Sequence, residues 1–375
     1  MPSSLNLSLR CRTRDIFAIL APLERKGFSI VDLHARGDEA AATICADEAA
    51  IRAAQTGVLP SLLKSLPSGA SLTASEPATC FELSDALTII LTTSPAPIQP
   101  STTILDQVLQ SLAHYAPELQ RCRLLITCDG CNDVRPGQKV KFRSGIVDTS
   151  GRTNYDEYVD TLRADAAAGG REGFAYELLE LRSRHGFGGA VRAALAHVRT
   201  PLVLVVQHDR TLLRPVDVAE LAAHVLASDG AVGYALLPVS KHVDHLNKER
   251  TWLGERGVRG ADADLAACAR ALPSGGRQLL PCLAWHDSTH VASVAYYQQL
   301  FRTEKSILGF IESGLGPRQA VDAVALGVPR FVDKWRTYVL DDGVAAAMVD
   351  HLDGSSDKGR RWQPTASGGD ARQAT

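Results

Sequence analysis

Three short, unbroken apolar runs constrain this chain more than any other feature. They are Ala86–Thr92 (ALTIILT), Arg123–Thr127 (RLLIT) and Leu202–Val206 (LVLVV). Each is rich in Leu, Ile and Val and too short for a helix, and none alternates with polar residues. Such runs are strands covered on both faces, and that burial belongs to parallel sheets flanked by helices. The segments between them have helical spacing. Thr102–Tyr115 is amphipathic, a helix is expected around Tyr155–Ala168, and Ala190–His197 follows a glycine-rich loop. Glu180–Arg182 is a candidate short strand. A helix at Val216–Ser228 precedes further strands at Ala231–Pro238, Gln278–Ala284 and Arg336–Leu340. The alternation predicts an α/β fold with a mixed, mostly parallel sheet. Ligands then belong beyond the carboxyl ends of the strands. Three loops lie at such ends, Thr92–Pro97, Cys128–Asn132 and Gln207–Arg210.

The first 80 residues follow another pattern. Leu5, Leu7 and Leu9 alternate with polar residues, and a helix is expected from Thr13 to Lys26. Strands follow at Phe28–Ala35 and Ala40–Ala46, then a helical region at Asp47–Leu66 and a short strand at Ser71–Ser75. This order is the ferredoxin-like βαββαβ arrangement, similar to small ACT-like regulatory modules. After Asp353 the chain is small and polar, the pattern of a disordered tail. The expected division is therefore 1–80 for the small module, 81–352 for the α/β domain and 353–375 for the tail. The module is a candidate for homodimerisation by sheet pairing.

Charge narrows the partners. The chain has 40 Lys plus Arg against 42 Asp plus Glu, a formal net charge of −2, which disfavours a broad nucleic-acid surface. Of the basic residues 31 are arginine, a type suited to bidentate anion binding but also enriched by base composition. Eight cysteines are scattered and sit mostly in apolar runs, which argues for free thiols in a reducing compartment. No apolar stretch reaches 18 residues and no secretory leader opens the sequence, so a cytoplasmic protein with no membrane span is expected.

Four segments resemble the GT-A fold of nucleotide-sugar glycosyltransferases, most of all the inverting, family-2-like group. They are IILTTSPAP at 89–97, LLITCDG at 124–130, GFGGAVRAALAHVRTPLVLVVQHD at 186–209 and GFIESGLG at 309–316. The resemblance spans residues 83–352. It implies transfer of a sugar from a nucleotide-diphosphate sugar to a hydroxyl acceptor that the sequence does not name. It matches Asp129 to the acid that contacts the base or ribose. It matches Asp209 to the last acid of the Asp-x-Asp motif that holds Mg²⁺ or Mn²⁺. Gln207 stands where that motif has its first acid, so metal dependence is in question. Glu312 falls where the inverting enzymes keep a general base, and a late histidine, here His351, completes some metal sites.

Residue chemistry adds to this. The leaving diphosphate gathers negative charge, which Arg210 or Arg192 would stabilise beside a metal. Thr92, Gln207 and His208 end strands at the ligand face. Glu312 is the first candidate base and Asp287 the second, with Trp285 and His286 lining an acceptor pocket. Plainer readings stand beside these. Asp129-Gly130 is a strong turn pair, Glu312 a helix cap, and the Gly186, Gly188 and Gly189 cluster a turn as readily as a phosphate cradle. Cys128-x-x-Cys131 has redox or zinc spacing, and His286 and His290 have the spacing of a helical zinc pair without its glutamate. Two alternatives remain: a catalytically degenerate binding or scaffold protein of the same fold, or a nucleotidylyltransferase. The second wants a glycine-rich basic loop after the first strand, and residues 93–100 have neither glycine nor a basic residue.

Overall fold

The computed structural model describes residues 82–304 and 307–352, and before them the backbone of four strands. Its contacts divide the chain into two units, Met1–Glu82 and Leu83–Thr375. In the first, β1 (Leu5–Arg12), β2 (Phe28–Arg36), β3 (Glu39–Ala46) and β4 (Ser71–Ser75) form an antiparallel sheet in the order β2-β3-β1-β4. That order places β3 between β1 and β2, as a split βαβ unit requires. The helices expected in this unit lie outside the described residues, as does the tail expected at 353–375.

The second unit is α/β. Its elements are β5 (Leu87–Thr93), α1 (Thr103–Tyr115), β6 (Arg123–Cys128), α2 (Thr149–Ala167), β7 (Tyr176–Glu180), α3 (Gly186–Leu195) and β8 (Leu202–Gln207). Next come β9 (Arg210–Leu212), α4 (Val218–Ala227), β10 (Tyr234–Leu236), α5 (His245–Glu255), α6 (Ala261–Ala267), β11 (Arg270–Ala271) and β12 (Gln278–Pro281). The unit continues with β13 (His290–Ser293), α7 (Val294–Thr303), α8 (Ile311–Leu326), α9 (Val328–Trp335), β14 (Thr337–Asp341) and β15 (Val349–His351). The central sheet runs β11-β12-β14-β10-β13-β8-β5-β6-β7. Only β12 and β13 oppose the direction of the other strands.

The apolar runs found in the sequence are the buried centre of this sheet. Every residue of β5 is buried, and β8 is buried up to Val206. Helix α1 adds Ile104, Leu105, Val108, Leu109 and Leu112 to the buried core, all on one face by helical spacing. The edge strand differs from expectation. It lies at Tyr176–Glu180 rather than 180–182, because Tyr176 is its one buried residue and the apolar signal is diluted. Helix α2 starts at Thr149, earlier than its apolar face suggests, because Asp148 caps it by accepting from Gly151 N–H at 2.8 Å.

The glycine cluster proves to be a packing device. Gly188 N–H donates to Gly309 O at 2.7 Å and Gly189 N–H to Leu308 O at 2.8 Å. A phosphate cradle is excluded for those two amides, because both are spent on backbone carbonyls. A Cβ at Gly188 would stand 1.9 Å from the Ile307 carbonyl oxygen, so only glycine lets residues 307–309 approach α3. Those residues lead directly into α8. Gly188→Ala should therefore destabilise the protein by about 3 kcal/mol, at the upper end of overpacking effects. Gly254→Ala, in α5 with open space around it, should instead stabilise by about 0.5–1 kcal/mol. Urea midpoints of the two variants check the pair, and equal midpoints would refute the packing role.

Candidate functional site

Strand β5 has β6 on one side and β8 on the other, all parallel, with β7 beyond β6. The chain thus leaves β5 in one direction and returns on the other side at β8. Such a reversal opens a crevice at the carboxyl ends of the two strands, because the loops there part in opposite directions. A cleft of about 450 Å³ lies at this point, lined by Thr92 to Pro97 from β5 and Gln207 to Arg210 from β8.

Asp209 has the clearest ligand chemistry in the cleft. His351 Nε2 donates to its Oδ2 at 3.0 Å, and pairing of β9 with β15 brings the two together across the chain. Among the described residues its Oδ1 is buried without a hydrogen-bond partner, as is Arg210 Nε, 4.0 Å away. Burial would raise the Asp209 pKa, but the His351 hydrogen bond and the charges of His208, His351 and Arg210 outweigh it and hold the carboxyl below its ordinary value. Thr92 and His208 line the same wall, joined by His208 N–H to Thr92 O at 2.9 Å. Gln207 turns sideways, and its Nε2 donates to the Asp287 carbonyl. Among the described residues no group of three or more His, Cys, Asp or Glu gathers as a cation site. The pair Asp209 and His351 still suits a hard divalent ion that keeps waters and takes its other oxygens from phosphate.

Of two further residues expected to bind the donor, one lines the cleft and one does not. The carboxylate of Asp129 lines the cleft but is already occupied. It accepts from His185 N–H at 2.7 Å, from Gly186 N–H at 2.9 Å and from the Arg184 guanidinium. It fastens the start of α3 to the end of β6, which leaves little acceptor capacity for a base. Arg192 is exposed on α3 and is not among the residues lining the cleft, since helical spacing turns it away from Phe187 and Ala190, which do line it.

A second cluster adjoins the first through Gln207. The Asp287 carboxyl accepts from Trp285 Nε1 at 2.8 Å and from Glu312 N–H at 3.2 Å. Glu312 Oε2 in return accepts from Asp287 N–H at 3.3 Å, so the two residues cap the start of α8 reciprocally. His286 Nε2 stands 3.8 Å from Glu312 Oε2, and Lys241 Nζ 3.4 Å from Oε1. Burial opposes the Glu312 charge, but His286 and Lys241 overcome it and keep the pKa below the ordinary value. The structure brings Trp285, His286, Asp287 and Glu312 together, with Asp287 serving as a cap. The helical zinc spacing of His286 and His290 is overturned. His290 opens β13, fully buried, bonded to Tyr297 Oη at 2.6 Å. Cys128 and Cys131 are buried free thiols, and burial pushes both pKa values up.

Burial raises the Asp287 pKa to about 7, against the pull of its hydrogen bonds. A raised folded-state pKa means that its stabilising contribution is whole below the unfolded value near 4 and is lost as pH rises through about 7. Asp287→Asn removes this titration. Its stability relative to the parent should improve between pH 4 and pH 7 and stay level above. Taking the difference cancels the buried histidines, which slope the other way. Thermal melts of both proteins at pH 4.5, 6 and 8 check this, and a constant difference would refute it.

Several cleft residues carry no signal in the sequence alone. Arg184 is one, held by Asp129 and the Arg143 carbonyl, and Phe142, Phe187 and Phe310 line the same wall. Lys241, outside the cleft lining, reaches Glu312 from 71 residues away. The adjacency of Arg184 to the glycine loop was the one available hint.

No family model and no curated protein matches the chain. Solved structures do. It is similar to a mannosyltransferase from Pyrobaculum calidifontis in complex with GDP-Man and Mn²⁺, at 14% identity and TM-score 0.32, over 58% of this chain and 46% of that one. The chain thus spans less than half of that enzyme's length. It is similar to glucosyl-3-phosphoglycerate synthase from Mycobacterium tuberculosis with Mn²⁺, UDP-glucose and phosphoglyceric acid, at 12% identity and TM-score 0.31, over 58% and 60% of the two chains. It is also similar to CMP:2-keto-3-deoxy-manno-octonic acid synthetase with CTP, at 14% identity and TM-score 0.32, over 65% and 87%. Among the described residues no helix is long and apolar enough to cross a membrane.

Proposed function

We propose that the second unit is a glycosyltransferase that takes its sugar from a nucleotide-diphosphate donor and works with inversion. The observation that carries this reading is that, among the described residues, the buried Oδ1 of Asp209 and the Nε of Arg210, 4.0 Å apart at the crevice between β5 and β8, have no hydrogen-bond partner. A buried polar atom without a partner is expensive, and a ligand that supplies one removes the expense. A diphosphate satisfies Arg210 directly.

Asp209 and His351 are the residues that would hold Mg²⁺ or Mn²⁺, and the ion when bound supplies positive charge to the diphosphate. The chain's own groups do the rest. Arg210 stabilises the charge that the leaving diphosphate gathers. Glu312, ionised and half exposed, accepts the proton of the attacking acceptor hydroxyl. The hydroxyl oxygen bonds to the anomeric carbon, the bond from that carbon to the diphosphate breaks, and the electron pair leaves with the nucleotide. Gln207 ties the donor side to the base side through the Asp287 carbonyl. A carboxylate at position 207 would face that carbonyl oxygen and repel it, which is a local reason for glutamine there.

The loop after β5 speaks against nucleotidyl transfer. Gln99 closes it on itself, with Oε1 accepting from Ala96 N–H at 2.8 Å and Nε2 donating to Ser94 O at 3.1 Å. The Ala96 amide is therefore spent inside the loop and is not offered to phosphate.

Calorimetric titration with UDP- and GDP-sugars, with and without Mn²⁺, tests the reading, together with an assay for released nucleoside diphosphate. Binding that Mn²⁺ strengthens, with release, is the expected result. No binding of either donor would refute it. Binding without release would favour the degenerate, non-catalytic form, for which the missing first acid at Gln207 is the motive.

A further inference from the structure

We infer that the acceptor carries an anionic group, a phosphate or carboxylate, and that Arg143 receives it. This rests on the glycosyltransferase reading and adds the class of acceptor. Arg143 sits on the short helical turn Phe142–Ser144 at the cleft wall and is exposed. Its guanidinium lies over the Phe310 ring, 5.2 Å from the centroid. Among the described residues nothing accepts a hydrogen bond from it and no acid pairs with it. The neighbouring cleft arginine is committed, since Arg184 is held by Asp129 and the Arg143 carbonyl. An arginine over an aromatic ring gains cation–π attraction without giving up its N–H donors. Arg143 is thus oriented by the ring and still free to grip a planar or tetrahedral anion.

Its position assigns that anion to the acceptor. Phe310 is the residue on which α8 begins, two positions before Glu312. The cation is therefore anchored to the turn that presents the proton-accepting carboxylate, whereas the diphosphate partners Asp209, Arg210 and His351, which line the same cleft, come from the β8–β9 turn, β9 and β15. The surroundings of Glu312 agree. Lys241 Nζ is 3.4 Å from it on another side, and Lys248 Nζ donates to Lys241 O at 2.9 Å. Burial raises both Asp287 and Glu249 to about 7, so each of these nearby carboxyls carries only part of its negative charge at neutral pH. An acceptor hydroxyl that reaches Glu312 thus enters a field that favours a negative ligand.

The test uses the full chain saturated with UDP and three small probes: glycerol 3-phosphate, glycerate and glycerol. Calorimetry is run on the parent, Arg143→Gln and Arg143→Lys. The expected result is binding of an anionic probe at least tenfold tighter than of glycerol. Arg143→Gln should remove that preference, Arg143→Lys should retain part of it, and UDP affinity should stay within twofold throughout. A parent that does not distinguish charged from uncharged probes overturns the inference. So does an Arg143→Gln variant that loses UDP affinity, because the arginine would then belong to the donor. Failure of UDP to bind the parent moves the test to GDP, and failure of both nucleotides is a separate outcome. It removes the glycosyltransferase reading and this inference with it.

Discussion

Asp209→Asn should lower turnover of a nucleotide-diphosphate sugar by about 10³-fold and abolish any strengthening of nucleotide binding by Mn²⁺. The size follows from what the carboxylate does where it stands. Removing one preorganised group that stabilises transition-state charge in a water-poor site typically costs about 10²–10³ in rate, and loss of an ion held by Asp209 adds to it. The substitution preserves shape. An asparagine oxygen can still accept from His351 Nε2, and the backbone bond from Leu352 N–H to Asp209 O at 2.8 Å is untouched. The fold should survive, which an unchanged thermal midpoint to within a few degrees would record. The charge balance does not survive, because Arg210 loses the acid that stands 4.0 Å from its Nε. Turnover within tenfold of the parent, in a folded variant, would remove Asp209 from the machinery and leave the cleft with no carboxylate free for catalysis, since Asp129 is occupied.

The parts legible in the sequence are those governed by local burial. Leu202–Val206 is a central strand because five consecutive apolar residues need cover on both sides, and a strand of that kind must end at the ligand face. Asp209 is legible for that reason. Asp129 is too, but there the strand end is where local information stops. The partners of its carboxylate lie more than 50 residues on, at Arg184, His185 and Gly186, and nothing in the turn pair Asp129-Gly130 announces them. The glycine cluster shows the same limit. Three glycines announce a close approach but not what approaches, and the segment at 307–309 is distant in the chain. His290 was misleading for a different reason. Its spacing from His286 suits a helix, but Val291 and Ala292 sit in a short strand between β8 and β10, and pairing with those strands decides the conformation. Arg143 has no sequence signal at all, because the ring it lies over is 167 positions away.

Glu312→Gln should lower sugar transfer by about 10²–10⁴-fold, the range that a positioned general base supplies, and leave donor binding within about twofold. The two effects separate because Glu312 and Asp209 belong to different elements and share no hydrogen bond. A glutamine oxygen can still accept from Asp287 N–H, and Glu312 N–H still donates to the Asp287 carboxyl, so the start of α8 holds. What disappears is the negative charge between Lys241 and His286. A purely structural role would be rescued by glutamine, and a base would not. The pH dependence gives a second readout. His286 and Lys241 hold the Glu312 pKa below its ordinary value, so the acid limb of kcat should lie below the usual glutamate range and activity should be flat through neutrality. His286 is the competitor for the role. Among the described residues its buried Nδ1 has no hydrogen-bond partner, but burial lowers its pKa to about 4, which makes it a weak base at neutral pH. A Glu312→Gln variant within tenfold of the parent would pass the base to His286, and His286→Asn would then abolish transfer where Glu312→Gln does not.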